Sequence, residues 1–204
     1  MESRPGEAMG HVHAAGELRL TASVVTVGAF DGVHRGHQAL IGRTICSARA
    51  RGLPAVVWTF DPPPKVFFGR AESLITLNDR IDRLRFLGPD HIVVAKFDDA
   101  FRQRAAEVFL AELAQLNPAL VWVGTDFRFG VGKAGAVPLL EQRFPTRVMK
   151  PVRCAAGEIV SSTRIRGLMG LGSFDAADAL QGWPRAGSLP SHGRVGLQVT
   201  GEVP

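Results

Sequence analysis

Two histidines three residues apart, His34 and His37, stand in the stretch VVTVGAFDGVHRGHQAL, residues 24–40. The stretch reads as a buried strand from Val24 to Phe30, a tight turn, and a helix that begins near Gly36. Residues three apart share a helix face, so both imidazoles can meet one ligand. A helix start adds unpaired N–H groups and the positive end of the macrodipole, which suits a phosphate. Gly28, Gly32 and Gly36 let a ligand approach the backbone closely. Taken alone, a histidine pair at a helix start is ordinary polar surface. Here it follows an apolar strand and glycines frame it. A second polar cluster, SSTRIRGLMG from residue 161, opens another helix. A Ser or Thr N-cap with arginine three residues on brings hydroxyls, N–H groups and a guanidinium together. By itself that pattern also describes a plain capped helix with solvated arginines.

The remaining chain supplies the elements that must position these groups. The first helix runs to about Arg51 with Leu40, Ile41, Ile45 and Ala48 on one face, and Gly52 stops it. A strand over 55–60 ends in DPPPKVFFG, where three prolines predict a stiff loop. A helix over 78–87 turns Ile81, Leu84 and Leu87 inward, and strands follow at 91–97 and 119–124 around a helix at 105–116. The glycine-rich TDFRFGVGKAG, a short helix at 137–144, a strand at 147–152, and helices from 161 and over 174–181 complete the pattern. Strands alternating with helices predict an α/β fold, a parallel sheet of about five strands with helices on both faces. Ligands of such sheets gather at the carboxyl ends of the strands. FDGVHRGH, FDPPP, TDFRFG and SSTRIR all fall at that edge, which points to a nucleotide-type site. Residues 1–18 lack periodicity and read as a loose tail, 19–184 as the domain, and 185–204 as a Gly-, Pro- and Ser-rich tail. His11 and His13 are of a type that ligates metals, but beside a terminus they read as incidental.

Composition narrows the class. The 204 residues are 46% hydrophobic and 21% charged, ordinary for a globular protein, with no apolar run of membrane-spanning length. The N-terminal segment lacks the apolar core of a secretory signal, so a cytoplasmic protein is expected. Cys46 and Cys154 read as free thiols in a reducing compartment. The net charge is +5 with a pI of about 10.0. The arginines are dispersed, so an anionic pocket explains the charge better than nucleic acid does. The oligomeric state is left open.

In this order and spacing, GAFDGVHRGHQAL, TFDPPP, VGTDFRFG and SSTRIR resemble the N-terminal domain of the prokaryotic FAD synthetases, bifunctional riboflavin kinase/FMN adenylyltransferases. The resemblance covers roughly residues 20–184. Its HxGH and SSTxxR elements are shared by a wider nucleotidyltransferase superfamily with a Rossmann-like, HUP-type sheet. It implies that His34, His37 and Arg166 act on the phosphates of ATP. It further implies that Gly28, Ala29, Phe30, Asp31, Gly36, Ser162, Thr163 and Arg164 bind the nucleotide. Phe60, Asp61, Asp126, Phe127, Arg128 and Phe129 would hold the flavin acceptor, although core packing is the plainer role for one of the two phenylalanines Phe127 and Phe129. The implied reaction moves AMP from ATP to FMN and releases pyrophosphate, with FMN and FAD as substrate and product. Mg²⁺ would accompany the triphosphate, with no protein ligands of its own. The chain departs from the pattern at Pro63, where the family writes histidine, and at Ala136, where it writes an acidic residue. The riboflavin kinase domain is expected to be missing, and riboflavin phosphorylation with it. These acceptor-side departures leave two alternatives: a nucleotidyltransferase using CTP or another phosphorylated acceptor such as a flavin analogue, and a flavin- or nucleotide-binding protein without turnover.

Overall fold

The computed structural model describes residues 10–183. In chain order the elements are β1 (His11–Ala14), β2 (Ser23–Val27), α1 (Arg35–Arg49), β3 (Ala55–Asp61), α2 (Pro64–Phe67), α3 (Leu77–Leu87), β4 (His91–Lys96), α4 (Asp99–Arg102) and α5 (Ala106–Ala114). They continue with β5 (Pro118–Gly124), β6 (Arg128–Phe129), β7 (Gly135–Ala136), α6 (Val137–Glu141), β8 (Thr146–Met149), α7 (Ser162–Gly170) and α8 (Phe174–Gln181). Six strands form one parallel sheet in the order β1-β4-β3-β2-β5-β8. From β2 the chain first builds outward through β3 and β4, then returns to β2's other side with β5. The switch point between β2 and β5 opens a crevice beyond their carboxyl ends.

Both faces of the sheet are covered, which is why its inner strands β2 to β5 read as largely apolar runs while the edge strands β1 and β8 do not. On one face Val25 and Val27 pack with Phe109, Leu110 and Leu113 of α5. On the other, Val57 and Ile92 pack with Leu40 and Ile41 of α1 and Leu84 of α3. Helices α7 and α8 share a smaller cluster of Val160, Ile165, Ala177 and Leu180. Local chemistry sets the helix starts: the Thr76 hydroxyl caps α3 by accepting the Asp79 N–H at 3.1 Å, and the Ser161 hydroxyl caps α7 by accepting that of Arg164 at 3.2 Å. No helix among the described residues is long and apolar enough to cross a membrane.

Three local expectations need correction. Residues 11–14, expected in a loose tail, form β1 and pair with β4 from His11 opposite His91 to Ala14 opposite Val94. The remainder of that tail, residues 1–9, and the tail expected from 185 lie outside the described residues. Strand β2 ends at Val27 rather than Phe30, because Phe30 and Val33 take left-handed φ angles of 47° and 44° that no strand accommodates. Pro64 does not merely stiffen a loop: it is the first residue of the one-turn α2, where its missing N–H costs nothing. The glycine-rich segment after β5 folds into a two-residue hairpin, with Arg128 opposite Ala136 and Phe129 opposite Gly135.

Candidate active site

The turn that joins β2 to α1 is held by its carbonyl groups. Ala29 O accepts from the Thr59 hydroxyl at 3.0 Å and from an Arg80 Nη at 3.1 Å. Phe30 O accepts the Val33 N–H, and Asp31 O accepts the Ser162 hydroxyl at 3.0 Å. Gly32 O accepts from Arg83 at 2.9 Å; Val33 O accepts from Gln38 at 2.9 Å and from the Trp183 indole at 2.8 Å. Every carbonyl from Ala29 to Val33 thus has a donor, most of them side chains brought in by separate elements. Phe30 and Val33 are fully buried, and this packing together with the donors sustains their strained φ angles. Gly28 is required by the close quarters: a Cβ there would stand 2.9 Å from the Phe30 ring.

His34 is the N-cap of α1. Its Nδ1 accepts the backbone N–H of His37 at 3.4 Å, and the two rings stack 3.6 Å apart at 17°. With Nδ1 accepting, a neutral His34 carries its proton on Nε2, which is left as a donor. Burial lowers the His34 pKa to about 4. His37 lies well below its ordinary value, first through burial and then through the neighbouring His34. Its Nδ1 is sealed from solvent without a hydrogen-bond partner among the described residues, and the Phe30 ring meets it edge-on at 5.2 Å. Both imidazoles are therefore neutral at pH 7. At Gly36 a Cβ would lie 3.1 Å from the His34 ring and 3.4 Å from Val160 O, so the lead into α7 runs directly against the first turn of α1.

Asp31 clamps the two helix starts together. Its side chain is buried, accepts the Leu74 N–H at 3.0 Å and the Ser73 hydroxyl at 3.3 Å, and forms an ion pair with Arg166. Arg166 also donates to Glu72 O at 2.7 Å. Arg164 points elsewhere, pairing with Glu158 and donating to Cys154 Sγ at 3.2 Å, a hydrogen bond that lowers the Cys154 thiol pKa. Of the SSTRIR side chains, Ser162 and Thr163 face the β2 turn and the β3 loop: Ser162 reaches Asp31 O, and the Thr163 hydroxyl accepts from Lys65 Nζ at 3.1 Å.

On the other side of the crevice, Asp61 at the end of β3 is paired with the buried Arg80 at 2.6 Å. Phe60 belongs to an aromatic wall with Phe97 and Phe101, at ring distances of 6.0 and 5.6 Å, and Phe67 of α2 extends it to Phe97 at 5.3 Å. After β5, Phe129 is 8% exposed and packs on Phe109 at 5.2 Å, a core residue. Phe127 is half-buried and lies nearly parallel to it at 5.5 Å, while Asp126 and Arg128 are exposed. The structure thus brings the histidine turn, the start of α7 and the ends of β3 and β5 to one sheet edge. Sequence reasoning passed over Arg80, Lys65, Arg83 and Trp183. Arg80 had a signal, since it lies four residues before Leu84 on the inward face of α3. Lys65 had none, because its partner is 98 residues away.

The family model for FAD synthetase matches residues 17–164. A protein of Geobacillus thermodenitrificans, provisionally named as a bifunctional riboflavin kinase/FMN adenylyltransferase, is 45% identical over 174 residues, 85% of this chain and 97% of its own length. The Escherichia coli K12 protein named as that bifunctional enzyme is 32% identical over 86% of this chain, which spans 59% of it. A solved structure described as a macrolide-efflux protein from Streptococcus pneumoniae superposes with a TM-score of 0.75 at 28% identity, covering 86% of this chain and 63% of that one. Family match, relatives and sheet topology agree: the chain belongs to the FAD synthetase family.

Proposed function

We propose that this chain is an FMN adenylyltransferase, joining the AMP of ATP to the phosphate of FMN to give FAD and pyrophosphate. The observation that carries the proposal is the stacked, neutral pair His34 and His37 at the α1 N-terminus, packed against the hydroxyl-bearing start of α7. In the transfer, an FMN phosphate oxygen forms a bond to the α-phosphorus, the bond from that phosphorus to the bridging oxygen breaks, and pyrophosphate leaves with the electron pair. The attacking phosphate is already ionised, so no residue needs to remove a proton. What the protein supplies is alignment and N–H or O–H donors aimed at phosphate oxygens. His34 Nε2–H, the Thr163 hydroxyl and the first N–H groups of α1 and α7 are suited to that task, while the Ser162 hydroxyl, donating to Asp31 O, fixes the start of α7 against the turn.

Neutral imidazoles match this role, because a donor without a net charge binds a triphosphate without trapping the product. Arg166 positions the start of α7 through Asp31. The half-buried Phe127 and the wall of Phe60, Phe97 and Phe101 offer a surface for a planar ring, which favours a flavin as acceptor. Among the described residues no group of three or more His, Cys, Asp or Glu side chains is arranged to hold a metal ion. Magnesium would come with the triphosphate, as the family resemblance implies, and would help neutralise charge on the phosphate oxygens. The free Cys46 and Cys154 accord with a cytoplasmic setting. Incubating the purified chain with Mg-ATP and FMN, and following FAD and pyrophosphate, tests the assignment. FAD formation supports it; pyrophosphate released only with another acceptor, or only from CTP, overturns the choice of substrates.

A further inference from the structure

A protein cation at the phosphate that changes partners would stabilise the charge that builds there, and the two arginines at the start of α7 are otherwise engaged. Arg166 is committed to Asp31 and to Glu72 O, and Arg164 to Glu158 and Cys154. On the acceptor side Arg80 is committed to Asp61 and Ala29 O. Lys65 differs. It lies on α2, in the segment that follows β3, its side chain is exposed, and its Nζ stands 3.1 Å from the Thr163 hydroxyl across the crevice. No carboxylate pairs with it among the described residues. Lys65 therefore joins the strand end that bears Phe60 and Asp61 to the helix start that bears Ser162 and Thr163. Its neighbours on α2 belong to the aromatic wall, since Phe67 packs on Phe97.

We infer that Lys65 is a catalytic residue of this site: its ammonium, poised at the Thr163 hydroxyl, contacts the phosphate that passes from nucleotide to acceptor. The inference rests on the adenylyltransferase reading above. A lysine suits the position because a compact charge on a flexible stem can follow the phosphorus as one bond forms and the other breaks. The charge that builds on the equatorial oxygens and on the leaving pyrophosphate is where a fixed cation acts most strongly. Pro62, Pro63 and Pro64 directly before it limit the backbone freedom of its support, so the ammonium is delivered from a stiff base.

The test compares Lys65→Ala, Lys65→Gln and Lys65→Arg with the wild-type chain. FAD formation gives kcat and KM, and calorimetry with inorganic pyrophosphate alone gives a binding readout that needs no turnover. Removal of the charge is expected to lower kcat about tenfold to hundredfold in both the alanine and the glutamine variants. Pyrophosphate should bind more weakly to both, and arginine should restore most of the loss. The melting temperature should stay unchanged, as the side chain is exposed. Ethylammonium in the buffer should raise the rate of Lys65→Ala and leave the wild type unaffected. Alanine and glutamine variants that make FAD at the wild-type rate and bind pyrophosphate equally would overturn the role of Lys65 while leaving the adenylyltransferase reading in place. A wild-type chain that forms neither FAD nor pyrophosphate would overturn that reading and this inference together.

Discussion

Acidification should destabilise the ligand-free protein through its stacked histidines. Burial holds His34 at about 4 in the folded chain, and unfolding returns it to its ordinary 6.5. Between those values the unfolded chain binds a proton that the folded chain refuses, so protonation favours unfolding. The contribution is fully present above pH 6.5 and is lost as the pH falls toward 4. From pH 7 to pH 5 the loss for His34 alone comes to about 2 kcal/mol, at 1.36 kcal/mol per pH unit over most of that interval. His37 is lowered in the same direction, by burial and by His34, and adds to the loss. Urea unfolding at the two pH values measures it. A His34→Asn variant retains a side-chain acceptor for the α1 cap but cannot titrate, so its stability should fall less steeply with pH than that of the wild type. His91, which burial also lowers, is present in both proteins and cancels in the comparison. A variant whose stability changes between pH 7 and pH 5 as much as that of the wild type would refute the reasoning.

Three further perturbations address the turn and its clamp. Asp31→Asn should cost about 3 kcal/mol, because it leaves the largely buried Arg166 without its carboxylate; an unchanged denaturation midpoint would show the ion pair to be dispensable. Gly28→Ala should destabilise the fold by about 1–3 kcal/mol, since the new methyl would press on the Phe30 ring; calorimetric melting at the wild-type temperature would contradict this. Trp183→Phe removes one of the two side-chain donors to Val33 O and should cost about 1 kcal/mol. Because Val33 precedes His34, kcat should fall while KM for FMN holds, and normal turnover in a protein of lowered melting temperature would confine Trp183 to a structural part.

What the sequence determined by itself was whatever neighbouring residues decide. The unbroken apolar runs of β2, β3 and β5 and the helical spacing of α1 and α3 declare their elements locally, and their alternation implies a parallel sheet with chemistry at one edge. His34 and His37 were legible in the same way, because a cap and the first turn of a helix involve only residues three apart. Strand β1 was not, since HVHA has no apolar pattern and is held by backbone hydrogen bonds to a strand starting 80 residues later. Nor does local sequence distinguish Phe127 from Phe129: the hairpin turns one of them onto Phe109 and into the core. The widest gap concerns charge. The resemblance implies that Arg166 acts at the phosphates, but no local pattern announces that Asp31 reaches it from 135 residues away or that Lys65 meets Thr163. A side chain's type shows what it can bind, but what it does bind depends on which distant groups folding delivers within hydrogen-bond reach.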